Sequence, residues 1–422
     1  MVGVCFALQE KLQDEKWRKP LLPLAVQTPC SAQLEYYKED NLKDLSVYIH
    51  IPFCERKCNY CAFVSYCLSE EKQNEYIDKL IFEIESFAKN DKNIKERVVK
   101  TIYFGGGTPS LLSIQNFHKI FKAINDNFKL SQNTEITIEV NPNSVDVEKL
   151  LEYKKLGINR VSVGVQSLSS RTLKQIGRLH DKKTALNSIK LISQYFDNIS
   201  ADLIIGLQGE KNITKYAKKL IKLKVKHISC YMLEIHENTK MLNLVNEKKY
   251  KPLSDDMVVK AYTKLSKFLI KNGFLQYEIS NFAQKGYESK HNLTYWTFKD
   301  YVGFGVSAHS YIDGVRYENA SNLKDYYLGK RLSEPKSKKT EIEERIMLGL
   351  RCYEGVSIKK LKDLGYNILE NENCKAFLQK GILRKENGKL FLEPSYYVVS
   401  DYIIEHLIWL ITILDKLSQI FQ

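Results

Sequence analysis

Between residues 46 and 280, short β-rich runs alternate with helical stretches about every 30 residues, and this alternation constrains the fold most strongly. VYIHI (47–51) precedes a helix near 70–89, and TIYF (101–104) precedes SIQNFHKIFKAINDNF (113–128). EITIEV (135–140) leads to a helix at 145–156, and RVSVGV (160–165) to helical stretches around 169–176 and 181–195. NISADLIIG (198–206) leads to a helix near 212–222, and HISCYML (227–233) to a longer one near 254–272. QYEIS (276–280) reads as a last short strand. Strands separated by crossover helices pair in parallel. Six or seven such units predict an α/β fold, a partial (β/α)6-type barrel rather than a closed eightfold one. Functional side chains then belong at the C-terminal ends of the strands, where the βα loops gather.

The flanks read differently. Residues 1–45 hold Pro20, Pro23 and Pro29 without sustained periodicity and are treated as an N-terminal extension. The barrel is expected over 46–285. A connecting segment, dense in aromatics and Gly and containing HNLTYW, follows over 286–335. Residues 336–422 are expected to form a small C-terminal α+β module with a hairpin around Asn387-Gly388. The 44% apolar and 27% charged composition over 422 residues excludes disordered and collagen-like classes and suits two domains. The net charge of +14 is spread along the chain. Such a spread favours anionic partners (phosphates, propionates, acidic lipid headgroups) or is simply a solvated Lys-rich surface; no nucleic-acid partner is expected. The nine cysteines form no disulfide framework, the N-terminus makes a poor signal peptide, and the most apolar run, 403–414, is too short to span a membrane. A cytoplasmic protein is expected.

Cys54-x3-Cys58-x2-Cys61 follows the first strand directly. Thiolates select soft metals, zinc or an iron–sulfur cluster. Zinc would need a fourth ligand, for which Cys67 is the candidate, whereas a [4Fe–4S] cluster held by three cysteines leaves one iron open. The alternative is fortuitous clustering. The next strand ends in YFGGGTPS (103–110), whose glycines let a ligand approach the backbone. Glu139 ends the third strand, Gln166 follows the fourth, Asp202 lies in the fifth, and Arg178 sits in IGRLH. Each alone suits a structural role. Together on one rim they can hold ribose hydroxyls, an amino group and a carboxylate.

The cysteine loop, GGGTPS, EVNP, GINRVSVGVQS and GRLH resemble the radical S-adenosylmethionine superfamily, and more narrowly its oxygen-independent coproporphyrinogen III oxidase-like group. QYEISNFA, HNLTYW, DYVGFGVSAHSY and ERIMLGLRCYEGV are similar to the same group, so the resemblance spans roughly 46–405. It implies a C-terminal module like that of HemN. It also implies a [4Fe–4S] cluster on Cys54, Cys58 and Cys61, whose open iron binds the amino and carboxylate groups of S-adenosylmethionine. By the same resemblance Tyr48, Gly106, Gly107, Thr108, Glu139, Gln166, Arg178 and Asp202 line the S-adenosylmethionine site, with Tyr60 against the adenine.

The decarboxylating oxidases carry a further cysteine two positions after the third, where this chain has Phe63. Phe63 and HNLTYW resemble the HemW haem chaperones instead. That resemblance implies a protein that binds haem and delivers it to acceptor proteins, including respiratory proteins at the membrane surface, without oxidase activity. The alternatives are coproporphyrinogen III oxidase and a zinc-stapled α/β binding protein. HNLTYW offers His291 as an axial haem ligand, with Tyr295 and Trp296 as a stacking wall, or else it packs the seam between barrel and C-terminal module. His309 is a second ligand candidate and Cys230 a weaker one. The apolar helix expected at 399–421 suits a homodimer or membrane contact, or the core of the small module. The 45-residue extension, with Cys5 and Cys30, has no counterpart in the family pattern.

Overall fold

The computed structural model describes residues 44–408, apart from Lys92, Lys211 and Lys336. The extension before residue 44 and the end of the 399–421 helix lie outside the described residues. Six strands follow one another in parallel: β1 (Asp44–Ile51), β2 (Val98–Gly106), β3 (Lys129–Val140), β4 (Arg160–Gln166), β5 (Asn198–Ile205) and β6 (His227–Met232). The crossover helices start where the sequence supplies caps. Ser113, Asp146, Asp181 and Asn212 each accept a backbone N–H three residues on, satisfying donors that the first helical turn leaves unpaired.

Side-chain alternation divides the sheet into two unlike faces. Val47, Ile49, Ile102, Phe104, Ile136, Ile138, Val161, Val163, Ile199 and Ala201 are buried in the core beneath the helices. The opposite face carries Tyr48, Tyr103, Glu139, Ser162 and Asp202: the register sets Tyr48 beside Tyr103 and Glu139 beside Ser162, with Asp202 one step further along β5. A sheet face this polar is the candidate site, because burying charge is costly.

The strand expected at 276–280 is displaced and reversed. β7 (Phe274–Gln276) and β8 (Asn281–Gln284) form an antiparallel hairpin, and β8 pairs antiparallel with β6. Glu278 makes the turn, its carboxylate accepting the Ser280 N–H at 3.0 Å. The seventh parallel strand comes from later in the chain: β9 (Tyr301–Phe304) lies beside β1. β10 (His309–Ile312), β11 (Val315–Asn319) and β12 (Arg331–Pro335) continue outward antiparallel, so the stretch expected as a connection supplies four strands.

The helix Lys290–Trp296, which contains HNLTYW, crosses the lower end of the polar face. Glu135 accepts the backbone N–H groups of Lys290 and His291 at its first turn, and Ser46 meets Thr294 at 2.8 Å. A second sheet follows, β13 (Val356–Ser357), β14 (Leu383–Glu386) and β15 (Lys389–Leu392) in the order β13–β15–β14. The expected hairpin turns at Asn387 and Gly388, both at positive φ (47° and 73°), as a two-residue turn requires. The described part of the last helix, 400–408, buries Ile403, Ile404 and Leu407 in the core, as the core-helix alternative has it.

Candidate functional site

The cysteine loop leaves β1 and closes on itself. Phe53 bridges Tyr66, and the Cys54 N–H donates to the Tyr66 carbonyl at 3.0 Å. Its middle is fastened to the β4–β5 connection, where the Asn59 N–H reaches the Ile176 carbonyl (3.0 Å) and its side-chain amide that of Gln175 (2.9 Å). The Gly107 and Thr108 N–H groups bond the carbonyls of Ile51 and Phe53 at 2.9 and 2.7 Å, tying the glycine turn to the same loop. A Cβ on Gly107 would meet the Phe53 carbonyl oxygen at 2.7 Å, so only glycine permits this approach.

Cys54, Cys58 and Cys61 are half-buried and free of disulfides. Donors face two of the three sulfurs. The Thr108 hydroxyl stands 3.7 Å from Cys54 Sγ, and Arg178 Nη1 donates to Cys58 Sγ at 3.6 Å. Asn141 joins them, donating to Thr108 Oγ1 (2.8 Å) while its Oδ1 accepts from Arg178 Nη2 (2.5 Å). Arg178 also donates to the Gly164 carbonyl at 2.7 Å. One chain of hydrogen bonds therefore links the loop to the ends of β2, β3 and β4. Burial raises the Cys54 thiol and takes Cys61 to about 11, so binding a thiophilic metal would release protons here.

Among the described residues no three His, Cys, Asp or Glu side chains are gathered closely enough to hold one metal ion. A [4Fe–4S] cluster asks for less convergence than zinc, because each thiolate takes a different iron. The donor set of three soft sulfurs, backed by an Arg and a Thr, fits such a cluster.

Beside the loop, Glu139 accepts from the Tyr103 hydroxyl at 2.7 Å and from the Gly106 N–H at 3.3 Å. Burial, reinforced by the charge of Asp202, raises its carboxyl to about 7, although Tyr103, Gly106 and Arg160 pull the other way. Asp202, also raised by burial, accepts from the Ser162 hydroxyl at 3.2 Å. Gln166 ends β4 at a φ of 62°, a strained position for a residue with a side chain. Gly164 is closely flanked: a Cβ would come within 3.1 Å of the Arg178 and Gln166 side-chain ends, which would have to give by a few tenths of an ångström. Tyr60 packs at the edge of the small cluster of Leu173, Ile176, Ile204 and Leu207, next to Arg178. Tyr48 donates to His50 Nδ1 at 3.0 Å while His50 Nε2 donates to the Val64 carbonyl at 3.1 Å, which connects β1 to the cysteine loop. Thus Tyr48, Tyr60, Gly106, Gly107, Thr108, Glu139, Gln166, Arg178 and Asp202 share one end of the sheet with the three cysteines. Asn141, the residue that joins Thr108 to Arg178, escaped sequence reasoning, although it follows Glu139 within the quoted EVNP.

The residues expected to touch haem are spread more widely. His291 is 1% exposed, and both ring nitrogens are engaged, Nδ1 with Thr101 (2.7 Å) and Nε2 with Tyr295 (2.8 Å). Its ring stacks on Tyr103 at 5.0 Å, beneath the polar face. Burial lowers its pKa to about 3, so it is neutral, but an axial bond would first have to break one of those contacts. Trp296 packs with Tyr277, Leu293 and Cys352 at the seam with the C-terminal module. Cys230 is fully buried on the helix-covered face. His309 is different: its side chain is 62% exposed, 3.7 Å from Glu318. Phe63, in the cysteine loop, is 67% exposed.

Residues 48–220 match the Radical SAM superfamily, and 337–395 match the HemN C-terminal domain. Haem chaperone HemW of Buchnera aphidicola (Schizaphis graminum) is 37% identical over 85% of this chain and 99% of its own length. The chain belongs to the HemW haem chaperone family. Other members include the HemW proteins of Lactococcus lactis, 32% identical over 86% of this chain and 97% of that one, and of Bacillus subtilis, 35% identical over 82% and 94%. Coproporphyrinogen III oxidase (HemN) from Escherichia coli has the same fold, with a TM-score of 0.73 over 86% of this chain and 90% of that one, at 21% identity. Membership of the radical SAM superfamily implies a [4Fe–4S] cluster and S-adenosylmethionine, and the HemW family implies an association with haem. Among the described residues no helix is long and apolar enough to cross a membrane.

Proposed function

We propose that this chain binds haem and passes it to acceptor proteins, with a [4Fe–4S] cluster on Cys54, Cys58 and Cys61 and S-adenosylmethionine on the neighbouring strand ends. The observation that carries this reading is the near full-length likeness to HemW proteins, combined with Phe63 in place of the oxidases' additional cysteine. The cluster, when bound, supplies an electron and an open iron site. The chain's own residues bind and orient. Thr108 and Arg178 donate to the thiolates, Gly106 and Gly107 let the turn pack against His50 and the Phe53 carbonyl, and Glu139 and Asp202 receive amino and hydroxyl groups. For haem, the exposed His309 is the better placed imidazole, since His291 is enclosed. The positive surface suits acceptors at an acidic membrane face.

The experiment is anaerobic incubation of the reconstituted protein with coproporphyrinogen III, S-adenosylmethionine and a reductant. The expected product analysis shows no protoporphyrinogen beyond the protein-free control, while haem added to the same protein gives a Soret band. Turnover at enzymatic rates would replace this reading with the oxidase, whose fold the chain shares. Zinc without acid-labile sulfide in anaerobically purified protein would end the cluster assignment.

A further inference from the structure

The polar face carries a guanidinium to which the site above gives no role. Arg160 opens β4 on that face, opposite Thr137 of β3 and Asn198 of β5. It is 2% exposed, and its Nε is buried without a hydrogen-bond partner, as is the Thr137 hydroxyl beside it. Arginines buried to this degree are ordinarily locked to carboxylates, as Arg97 is between Asp300 and Asp313. Among the described residues Arg160 has no such ion pair. Its charge acts across the polar face on Glu139 and Asp202, which stand further along β3 and β5 toward the cysteine loop.

We propose that Arg160 is a positioning residue, a fixed cation beneath Glu139 and Asp202 that favours the ionised forms of these acids and so their reception of the amino and hydroxyl groups of S-adenosylmethionine. What the acids bind rests on the function proposed above; what Arg160 does to them does not.

The surroundings make the effect decisive. Glu139 is faced by Tyr48 from β1, Tyr103 from β2, Arg160 from β4, Asp202 from β5, Tyr231 from β6 and Tyr295 from the Lys290–Trp296 helix. Arg160 is the only cation in that set. The other nearby guanidinium, Arg178, is already bound to Cys58, Asn141 and Gly164. Two like charges on one rim disfavour each other's ionisation, and an opposite charge in the same cavity reverses this. With the Glu139 carboxyl near 7, a modest change in the field decides whether it is charged.

The test follows the Glu139 carboxyl directly, by carbon NMR of protein labelled with carboxyl-13C glutamate and assigned with Glu139→Gln. The expected result is a titration midpoint that rises by about one pH unit or more in Arg160→Gln and is largely restored in Arg160→Lys. An unchanged midpoint in folded Arg160→Gln overturns the proposal. Should Arg160→Gln fail to fold by circular dichroism, Arg160→Met decides. Arg160→Met is neutral and unbranched, so it is expected to show the same rise in midpoint, and an unchanged midpoint overturns the proposal. A second arm measures S-adenosylmethionine affinity by anaerobic equilibrium dialysis. Arg160→Gln is expected to bind about fivefold more weakly at pH 7 and to approach wild type by pH 9, following the ionised fraction of Glu139. Equal weakening at every pH marks a merely structural residue and overturns the proposal. No binding by the wild type would sink the S-adenosylmethionine reading alone, because the carboxyl titration still decides the role of Arg160.

Discussion

Two histidines place the interior and the surface of this protein in competition for haem. His291 is satisfied on both nitrogens within the core, so His291→Ala strands the Thr101 and Tyr295 hydroxyls and is expected to cost about 3 kcal/mol. Thermal unfolding measures that loss. The Soret band of added haem, recorded well below the lowered Tm, is expected to persist in His291→Ala and to weaken in His309→Ala. The opposite pattern would make the enclosed histidine the ligand. At this scale the sequence was most legible where spacing carries chemistry, as in the three cysteines. It was least legible for Asn141 and Arg160, whose roles come from what lies beside them on other strands. A lone Asn after a strand, or an Arg opening one, has no signature before the register is known.

Single elements show how narrowly the glycine turn is specified. β2 ends at Gly106 with a φ of 112°, and a Cβ there would lie 2.6 Å from the His50 ring. Gly106→Ala is expected to push His50 from its bonds with Tyr48 and Val64, and so loosen the cysteine loop. Iron content after anaerobic reconstitution should fall to less than about half that of wild type, with a Tm loss equivalent to about 1–3 kcal/mol. Normal iron and normal Tm would show that the turn has slack. Most helices and strands could be read from the alternation of β-rich and helical runs, and Ser113, Asp146, Asp181 and Asn212 cap helices between successive strands. The hairpin of β7 and β8 could not. QYEIS has the β-rich composition of a strand, but the Glu278 carboxylate bonds the backbone two residues on and turns the chain there.

At the scale of the whole molecule, the described residues form one continuous sheet of twelve strands with a second, three-stranded sheet beside it. Glu278 lies where they meet, 1% exposed and bridged to Cys352, and burial raises its carboxyl to about 7. Its folded pKa exceeds its unfolded one, so its share of stability is present below about 4.5 and is lost as pH rises through about 7. The loss is on the order of 3 kcal/mol. Tm is therefore expected to fall between pH 5 and 8 in wild type and to fall less in Glu278→Gln; parallel curves would remove Glu278 as the cause. The role of 286–335 was hidden at this scale, since short aromatic strands that pair far away in sequence leave no local period. The alternation from 46 onward made the parallel sheet readable, yet nothing local indicates that β9 returns to lie beside β1. The cysteine loop, finally, is fastened by backbone bonds to the glycine turn, to Ile176 and, through the Asn59 carbonyl, to Met241. Three backbone attachments hold its shape. Local opening of this loop must therefore give up bonds to three separate parts of the fold at once.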